Sequence, residues 1–252
     1  MERANYCLKE AQRTAKVQKD TATLCLAMTR YSWVVRKTHP EAGLEYAKRV
    51  LGLYEKYSKR NVFNIVYNTL MVCECENFCG NPRRAFSLAQ QAEKNALALG
   101  DSTVISDVYQ DMAYFAVSLG DKRSTHFALL SCRYSDTRFV SKRLMLAKAY
   151  EKTGNYHECI NLLDTLRLEN NGQRYEAFAM RHRAAVKLND PAALSYADSA
   201  YHYIEAMFDD ELCDKTIYFE NLMQEKTERL QAEAWTVLYK AVSYTHLTLP
   251  TT

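Results

Sequence analysis

The segment from Leu144 to Leu168 constrains the fold more than any other part of the chain. Its first half carries apolar and small residues at helical spacing up to Gly154, a residue that readily takes the left-handed conformation at a helix end. Asn155 follows, and asparagine is a suitable cap for the next helix. The apolar residues of that second helix again share one face: Cys159, Ile160, Leu163 and Leu166. The pattern predicts two antiparallel helices joined by a tight turn.

Similar units recur along the chain. Each has a polar turn followed by a small residue early in the second helix. These small residues are Gly43, Ala85, Thr125, Cys159 and Ala193. They are separated by 42, 40, 34 and 34 residues, which lies within the range of helical repeats. The longer spacing at the start predicts that the helices of the first units extend by a turn or two.

The composition agrees with a helical chain and excludes several classes of partner. Only 7 Gly and 4 Pro occur in 252 residues, too few for the many tight turns of an all-β fold. The 33 basic and 30 acidic residues are interspersed, whereas nucleic-acid binding chains usually carry a concentrated basic stripe. The longest apolar run falls far short of the roughly 20 residues that a membrane span needs. We therefore expect neither a nucleic-acid partner nor a membrane span in this segment.

The repeated unit resembles the tetratricopeptide repeat over roughly residues 1–207. The residues that carry the resemblance are Ala147, Tyr150, Gly154-Asn155-Tyr156, Cys159, Leu163 and Leu166. The chain departs from the family pattern where Thr125 and Cys159 replace the usual alanine, and where Tyr109 is the only large aromatic early in a first helix. The resemblance implies an all-α, right-handed α-solenoid of antiparallel helix hairpins. It also implies a concave groove, built by the first helix of each pair, that binds a protein or peptide partner.

The family register predicts which residues line this groove. They are Ser32, Arg36, Glu74, Asn77, Gln110, Tyr114, Lys148, Lys152 and His182. The alternative for each of them is ordinary solvated surface. Their mixed charge predicts a polar or mixed-charge peptide partner rather than a phosphate backbone.

The sequence offers little support for catalysis, for a metal or for a cofactor. Cys73, Cys75 and Cys79 form the only metal-like cluster, but Cys73 points about 200° away from Cys75 on a helix, so the three thiolates cannot converge on one ion. His157-Glu158 falls at the start of a predicted helix, where a solvated face is the simpler interpretation. Free cysteines on apolar stripes favour a reducing, cytoplasmic compartment. We expect no enzyme activity, no metal and no cofactor.

A long uninterrupted helix is predicted over residues 211–240. Its stripe repeats at coiled-coil-like spacing with one charged interruption: Phe219, Met223, Lys226, Leu230, Ala234 and Val237. Residues 208–241 are therefore either a helix that caps the repeat array or a linker to an output domain. Self-association through this helix is a further possibility that the stripe leaves open.

Two functions are consistent with these patterns. The first is a protein–protein interaction scaffold, as in the sensory part of a bacterial signalling or transcriptional regulator. The alternative is the non-catalytic repeat domain of a truncated enzyme such as a histidine kinase. The start of the chain, Leu8 to Asp20, resembles the second helix of a pair, so we expect that an N-terminal part is missing. The reading frame that follows Ala241 distinguishes the two functions.

Residues 242–252 change character abruptly and resemble a translated sequencing adapter. The transposase adapter string GTCTCTTATACACATCTGACGCTGCCGACG encodes Val242 to Thr251 in order. A genuine polar tail is the alternative. We exclude this tail from the fold prediction.

Deleting residues 242–252 tests the adapter interpretation. A translated adapter has no evolved contacts, so we expect the melting temperature to stay unchanged within error in a thermal denaturation experiment followed by circular dichroism. A loss of several degrees would show that the tail is genuine structure.

Overall fold

The computed structural model describes residues 2–57, 61–136 and 139–209, together with 223–224, 227, 230–231 and 233–236. Ten helices have complete bounds: α1 (Glu2–Val17), α2 (Thr21–Val35), α3 (Pro40–Tyr57), α4 (Val62–Phe78), α5 (Pro82–Leu99), α6 (Ser102–Leu119), α7 (Ser124–Tyr134), α8 (Val140–Thr153), α9 (Tyr156–Asp164) and α10 (Asn171–Leu188). Residues 193–209 are also helical. These ranges contain no strand, so the all-α prediction is confirmed.

The helices form two layers. Each helix packs against the next one along the chain, and α2, α4, α6, α8 and α10 also contact one another in succession. Among the described helices, α3, α5, α7 and α9 contact no further member of their own row. In a curved stack the helices on the inner side lie closest together, so we call the first row the inner layer and the second row the outer layer. This is the arrangement of a solenoid of helix pairs.

The predicted turns are present, with one difference at Asn155. Gly154 ends α8 in the left-handed conformation with φ 85°, and its N–H bonds back to the carbonyls of Tyr150 and Glu151. Asn155 occupies the predicted cap position of α9, but its side chain accepts no hydrogen bond from that helix. Its amide donates instead to Thr153 Oγ1 at 3.2 Å, because this threonine lies just across the short turn.

Small residues allow the two helices of a pair to approach each other closely. A Cβ added at Gly43 would lie 3.3 Å from the carbonyl oxygen of Ser32, and Ala85 and Cys159 are completely buried. The prediction is wrong by one residue in α7, where Ser124 is buried and Thr125 is half-exposed. The helix begins at Ser124, and a one-residue shift turns a side chain by about 100° away from the helix interface.

Helix lengths vary along the array in the way that the repeat spacing predicts. The helices α3 and α5 of the early units have 18 residues each, whereas α9 has 9. The extra turns account for the wider spacing of the first small residues.

Two buried carboxylates join the helices at opposite ends of the array. Glu76 at the end of α4 pairs with Lys48 at 2.9 Å and with Arg84 at 3.3 Å, which ties α3, α4 and α5 together. Burial opposes ionisation of Glu76, but hydrogen bonds from Lys48 and Asn81 and the nearby cations hold its pKa below the usual value. Glu151 of α8 accepts two hydrogen bonds of 2.8 Å from Arg183, whose planar fork fits a carboxylate.

Most of the predicted C-terminal helix and the whole adapter-like tail lie outside the described residues. The described residues between 223 and 236 are helical. Within the described part of the chain, no helix combines the length and the apolar character that crossing a bilayer requires.

Replacing Gly154 tests the left-handed turn. A Cβ at this position would meet no atom within 4 Å, so the cost of a side chain comes from the backbone conformation alone. We expect Gly154→Val to lower the free energy of unfolding by roughly 1 to 3 kcal/mol and Gly154→Asn to lower it less, because asparagine tolerates this conformation. Urea denaturation measures both, and equal losses would contradict the turn argument.

Candidate partner-binding surface

The candidate site is the inner face, by which we mean the surface of α2, α4, α6, α8 and α10 that is turned away from the outer layer. Polar and charged side chains project from successive inner helices here, so that residues distant in sequence become neighbours. The predicted residues Arg36, directly after α2, and Glu74 of α4 form such a pair, with 2.5 Å between Nε and Oε2. The Arg36 guanidinium also lies 4.5 Å from the ring centroid of Trp33, which is half-exposed.

Ser32 does not belong to this surface. Its side chain is completely buried, and its hydroxyl donates to the Gly43 carbonyl at 2.7 Å. The α2–α3 turn occupies residues 36–39, whereas the α8–α9 turn has two residues, 154–155. In the first pair the longer turn displaces the positions of the first helix relative to those of the second helix. The family register, applied without this displacement, therefore assigns a core residue to the groove. Burial excludes Ser32 from contact with a partner.

The middle of the inner face brings three predicted residues together. Burial raises the pKa of Tyr114 in α6, and an interaction with the Asn77 side chain of α4 opposes this shift. Lys148 of α8 lies over the Tyr114 ring, with Nζ 5.5 Å from the centroid. Gln110 is half-buried one turn before Tyr114. Three adjacent inner helices thus contribute to one polar and aromatic patch.

Lys152 and His182 meet at the far end of the array. Together with Glu151, Tyr156 and Arg183 they line a shallow surface depression between α8, α9 and α10. The Lys152 side chain is about half-exposed, and its Nζ lies 3.8 Å from Glu151. His182 Nδ1 lies 2.9 Å from the carbonyl oxygen of Ala193, so this ring nitrogen is already engaged within the chain.

Sequence reasoning missed an ion network beside this patch. Asp107 of α6 accepts a hydrogen bond of 2.8 Å from the hydroxyl of Tyr67 in α4 and pairs with Lys142 of α8. The Lys142 side chain is almost fully buried. A signal was present in the sequence, because Asp107 and Asp111 are one turn apart and Tyr114 follows after another turn, which puts all three on one helical face.

Asp111 differs from the other carboxylates of the inner face. It is half-buried, and among the described residues it has no ion-pair partner, since Arg36 is bound to Glu74 and Lys142 to Asp107. Burial, together with the charges of Glu74 and Asp107, raises the pKa of Asp111 well above its usual value, and the more distant Lys142 and Arg36 oppose the shift only in part. The inner face thus holds a carboxyl group that the fold leaves uncompensated.

Two of the three clustered cysteines take part in packing. Cys73 and Cys75 are completely buried and belong to different apolar clusters, and burial raises the pKa of both thiols. A raised pKa keeps a thiol protonated and therefore a poor nucleophile and metal ligand. The described residues contain no group of His, Cys, Asp and Glu side chains that could hold a metal ion.

Neutralising Asp111 tests the uncompensated charge. The folded chain holds a proton on Asp111 at pH values where the unfolded chain has already lost it, so this group makes the wild type less stable as pH rises. We expect Asp111→Asn to raise the free energy of unfolding by about 1 to 2 kcal/mol at pH 8. The gain should shrink as pH falls through the raised pKa. Urea denaturation between pH 5 and 8 would measure it.

The matched control is Asp107→Asn, the same change one turn earlier on α6. Asp107 is engaged by Tyr67 and Lys142, so this substitution leaves a buried cation unpaired and should lower stability instead. A fall in stability for both variants would contradict the assignment of Asp111 as an unpaired charge.

Comparison with known proteins reveals the fold. No family model and no curated protein matches the chain. A protein of Podosopora anserina, described as a kinesin light chain with nearly identical TPR-like repeats, is similar with a TM-score of 0.57 and 13% identity, over 72% of this chain and 95% of the other. A second crystal structure of that protein, with one residue substituted, gives 0.59 and 13%, over 73% and 95%. BtubC from P. vanneervenii gives 0.63 and 12%, over 82% and 91%. The chain therefore has the fold of TPR-like helical repeat proteins.

Proposed function

We propose that this chain is a protein-interaction scaffold that binds an extended peptide or a partner helix on its inner face, without a reaction of its own. The observation that carries the proposal is the two-layer arrangement, in which five inner helices contact one another in succession and carry polar side chains that are partly exposed, among them Glu74, Gln110 and Lys148. Solenoids bind extended segments on surfaces of this kind.

The inner-face side chains are held in place before any partner arrives. Arg36 is fixed by Glu74 and by the Trp33 ring, and the Tyr114 ring contacts Lys148. Pre-organised side chains lose less conformational entropy on binding, so a larger part of each contact appears as affinity. This supports recognition of a segment rather than loose electrostatic attraction.

We also propose a setting for the scaffold, namely the sensory part of a bacterial signalling or transcriptional regulator. In this proposal residues 1–207 form the repeat array, and residues 208–241 cap it or lead to an output module. The sequence resemblance supports the setting, and the natural reading frame after Ala241 tests it.

Reversing the charge of two inner-face lysines tests the proposed function. Lys148 and Lys152 lie one turn apart on α8 and are at least partly exposed. Exposed charges contribute roughly 0 to 1 kcal/mol to stability, so the double change to Glu should leave the melting temperature almost unchanged. It should weaken the capture of acidic partner segments, with a smaller loss at high salt. A quantitative pull-down from the source cell measures this.

The matched control reverses two exposed cations of the outer layer, Arg49 of α3 and Lys94 of α5. This variant has the same net charge as the inner-face variant but leaves the inner face intact. We expect it to recover the wild-type set of partners. Equal recovery by all three proteins would overturn the inner face as the binding surface.

A further inference from the structure

We propose that the inner face selects a segment with one cationic and one anionic side chain, the cation bound at Asp111 and the anion at Lys148. This inference rests on the proposed function and names the chemistry of the partner. Some charges on the inner face are already paired within the chain, whereas Asp111 and Lys148 have no ion-pair partner among the described residues.

The acidic residues of the inner face lie between α2 and α8. Three carboxylates, those of Glu74, Asp107 and Asp111, come together here, and two cations face them. Arg36 is committed to Glu74, and Lys142 is committed to Asp107. No cation is left for the half-buried Asp111, so its carboxyl group keeps its proton to a higher pH in the free chain. A cationic side chain from a partner would favour the ionised carboxylate and displace this proton, and the resulting ion pair would gain from the reduced exposure to water.

The cation without an ion-pair partner lies on α8. Lys148 contacts the ring of Tyr114, but within the described ranges it forms no ion pair with a carboxylate. The nearest acidic residue along its helix, Glu151, is buried and bound through both oxygens to Arg183. The ammonium group of Lys148 thus retains its capacity to pair with an anionic side chain.

Tyr114 connects the two unmatched charges. It follows Asp111 by one helical turn, where side chains on the same face are neighbours, and its ring contacts Lys148. The two charges come from α6 and α8, which are in contact, and packed helices lie about 8 to 10 Å apart. An extended peptide advances about 3.3 Å per residue and returns to the same face at every second residue. A Lys-x-Glu arrangement, in either direction along the surface, therefore fits the spacing once side-chain reach is included.

The charges of the inner face disfavour peptides of a single sign. A segment with two cations would bring one of them against Lys148, and a segment with two anions would bring one against Asp111 and its acidic neighbours Glu74 and Asp107. Like charges in contact are unfavourable, so the inner face rejects segments of a single sign as well as accepting mixed ones.

Four short peptides test the proposal by fluorescence anisotropy with the full chain. The common sequence is acetyl-Ser-Tyr-Lys-Ala-Glu-Tyr-Ser-amide, and the other three replace Lys, Glu or both by Gln. We expect the mixed-charge peptide to bind most tightly. Each single replacement should weaken binding about three- to fivefold, the size expected of one partly exposed ion pair. Equal affinities for all four peptides, or no binding by any of them, would overturn the proposal.

Two variants assign each charge to its residue. Asp111→Asn should abolish the advantage of Lys over Gln in the peptide and leave the advantage of Glu. Lys148→Gln should do the reverse. Lys94→Gln on the outer layer is the control and should change neither. Since we expect Asp111→Asn to be at least as stable as the wild type, a loss of binding cannot be attributed to unfolding, and a melting curve for each variant verifies this.

The outcomes separate this inference from the proposed function. If the peptide preferences persist in both variants, the assignment of Asp111 and Lys148 is wrong. The proposed function still stands in that case, provided that the double reversal of Lys148 and Lys152 reduces the capture of cellular partners. If that reversal has no effect either, both proposals fail.

Discussion

Close packing between the two helices of each pair is the constraint on which the rest of the structure depends. A single helix cannot bury its apolar stripe alone. Here each helix buries it against a neighbouring helix, which approaches closely at small residues such as Gly43, Ala85 and Cys159. A larger side chain at these positions would separate the helices and open the core. The spacing of the small residues therefore determines how the pairs stack, and with it the two layers.

The two-layer arrangement separates the apolar residues of the core from the polar residues of the inner face. Apolar side chains and alanines fill the space between the layers, and ion pairs of buried carboxylates, such as Glu151 with the half-exposed Arg183, connect neighbouring units. Losing the cation would leave a buried carboxylate unpaired, which is costly, so these pairs fix the relative position of the helices that they join. The polar residues that the core does not use are left on the inner face, where successive helices bring them together.

On the inner face, a residue that lowers the stability of the free chain is also one to which we assign binding of a partner. Asp107 and Asp111 are the same residue type on the same helix, one turn apart, yet one is engaged by Tyr67 and Lys142 and the other has no ion-pair partner among the described residues. An unpaired, half-buried carboxylate destabilises the free chain. A partner that supplies a cation would remove this cost, and this links the instability at Asp111 to recognition.

The sequence by itself determined the helix pairs, their order and most of their turns, because these depend on local features: apolar spacing along a helix and a residue such as Gly154 that accepts the left-handed conformation. It also predicted that Arg36, Glu74 and Tyr114 line the groove, and this assignment stays a prediction. Only the tertiary structure decided that Ser32 is buried and that Asp111 remains unmatched. The burial of Ser32 depends on the length of the α2–α3 turn, since a shift of one residue is enough to rotate a side chain from the surface into the core. The lack of a partner at Asp111 depends on which side chains meet across helices about 40 residues apart in sequence.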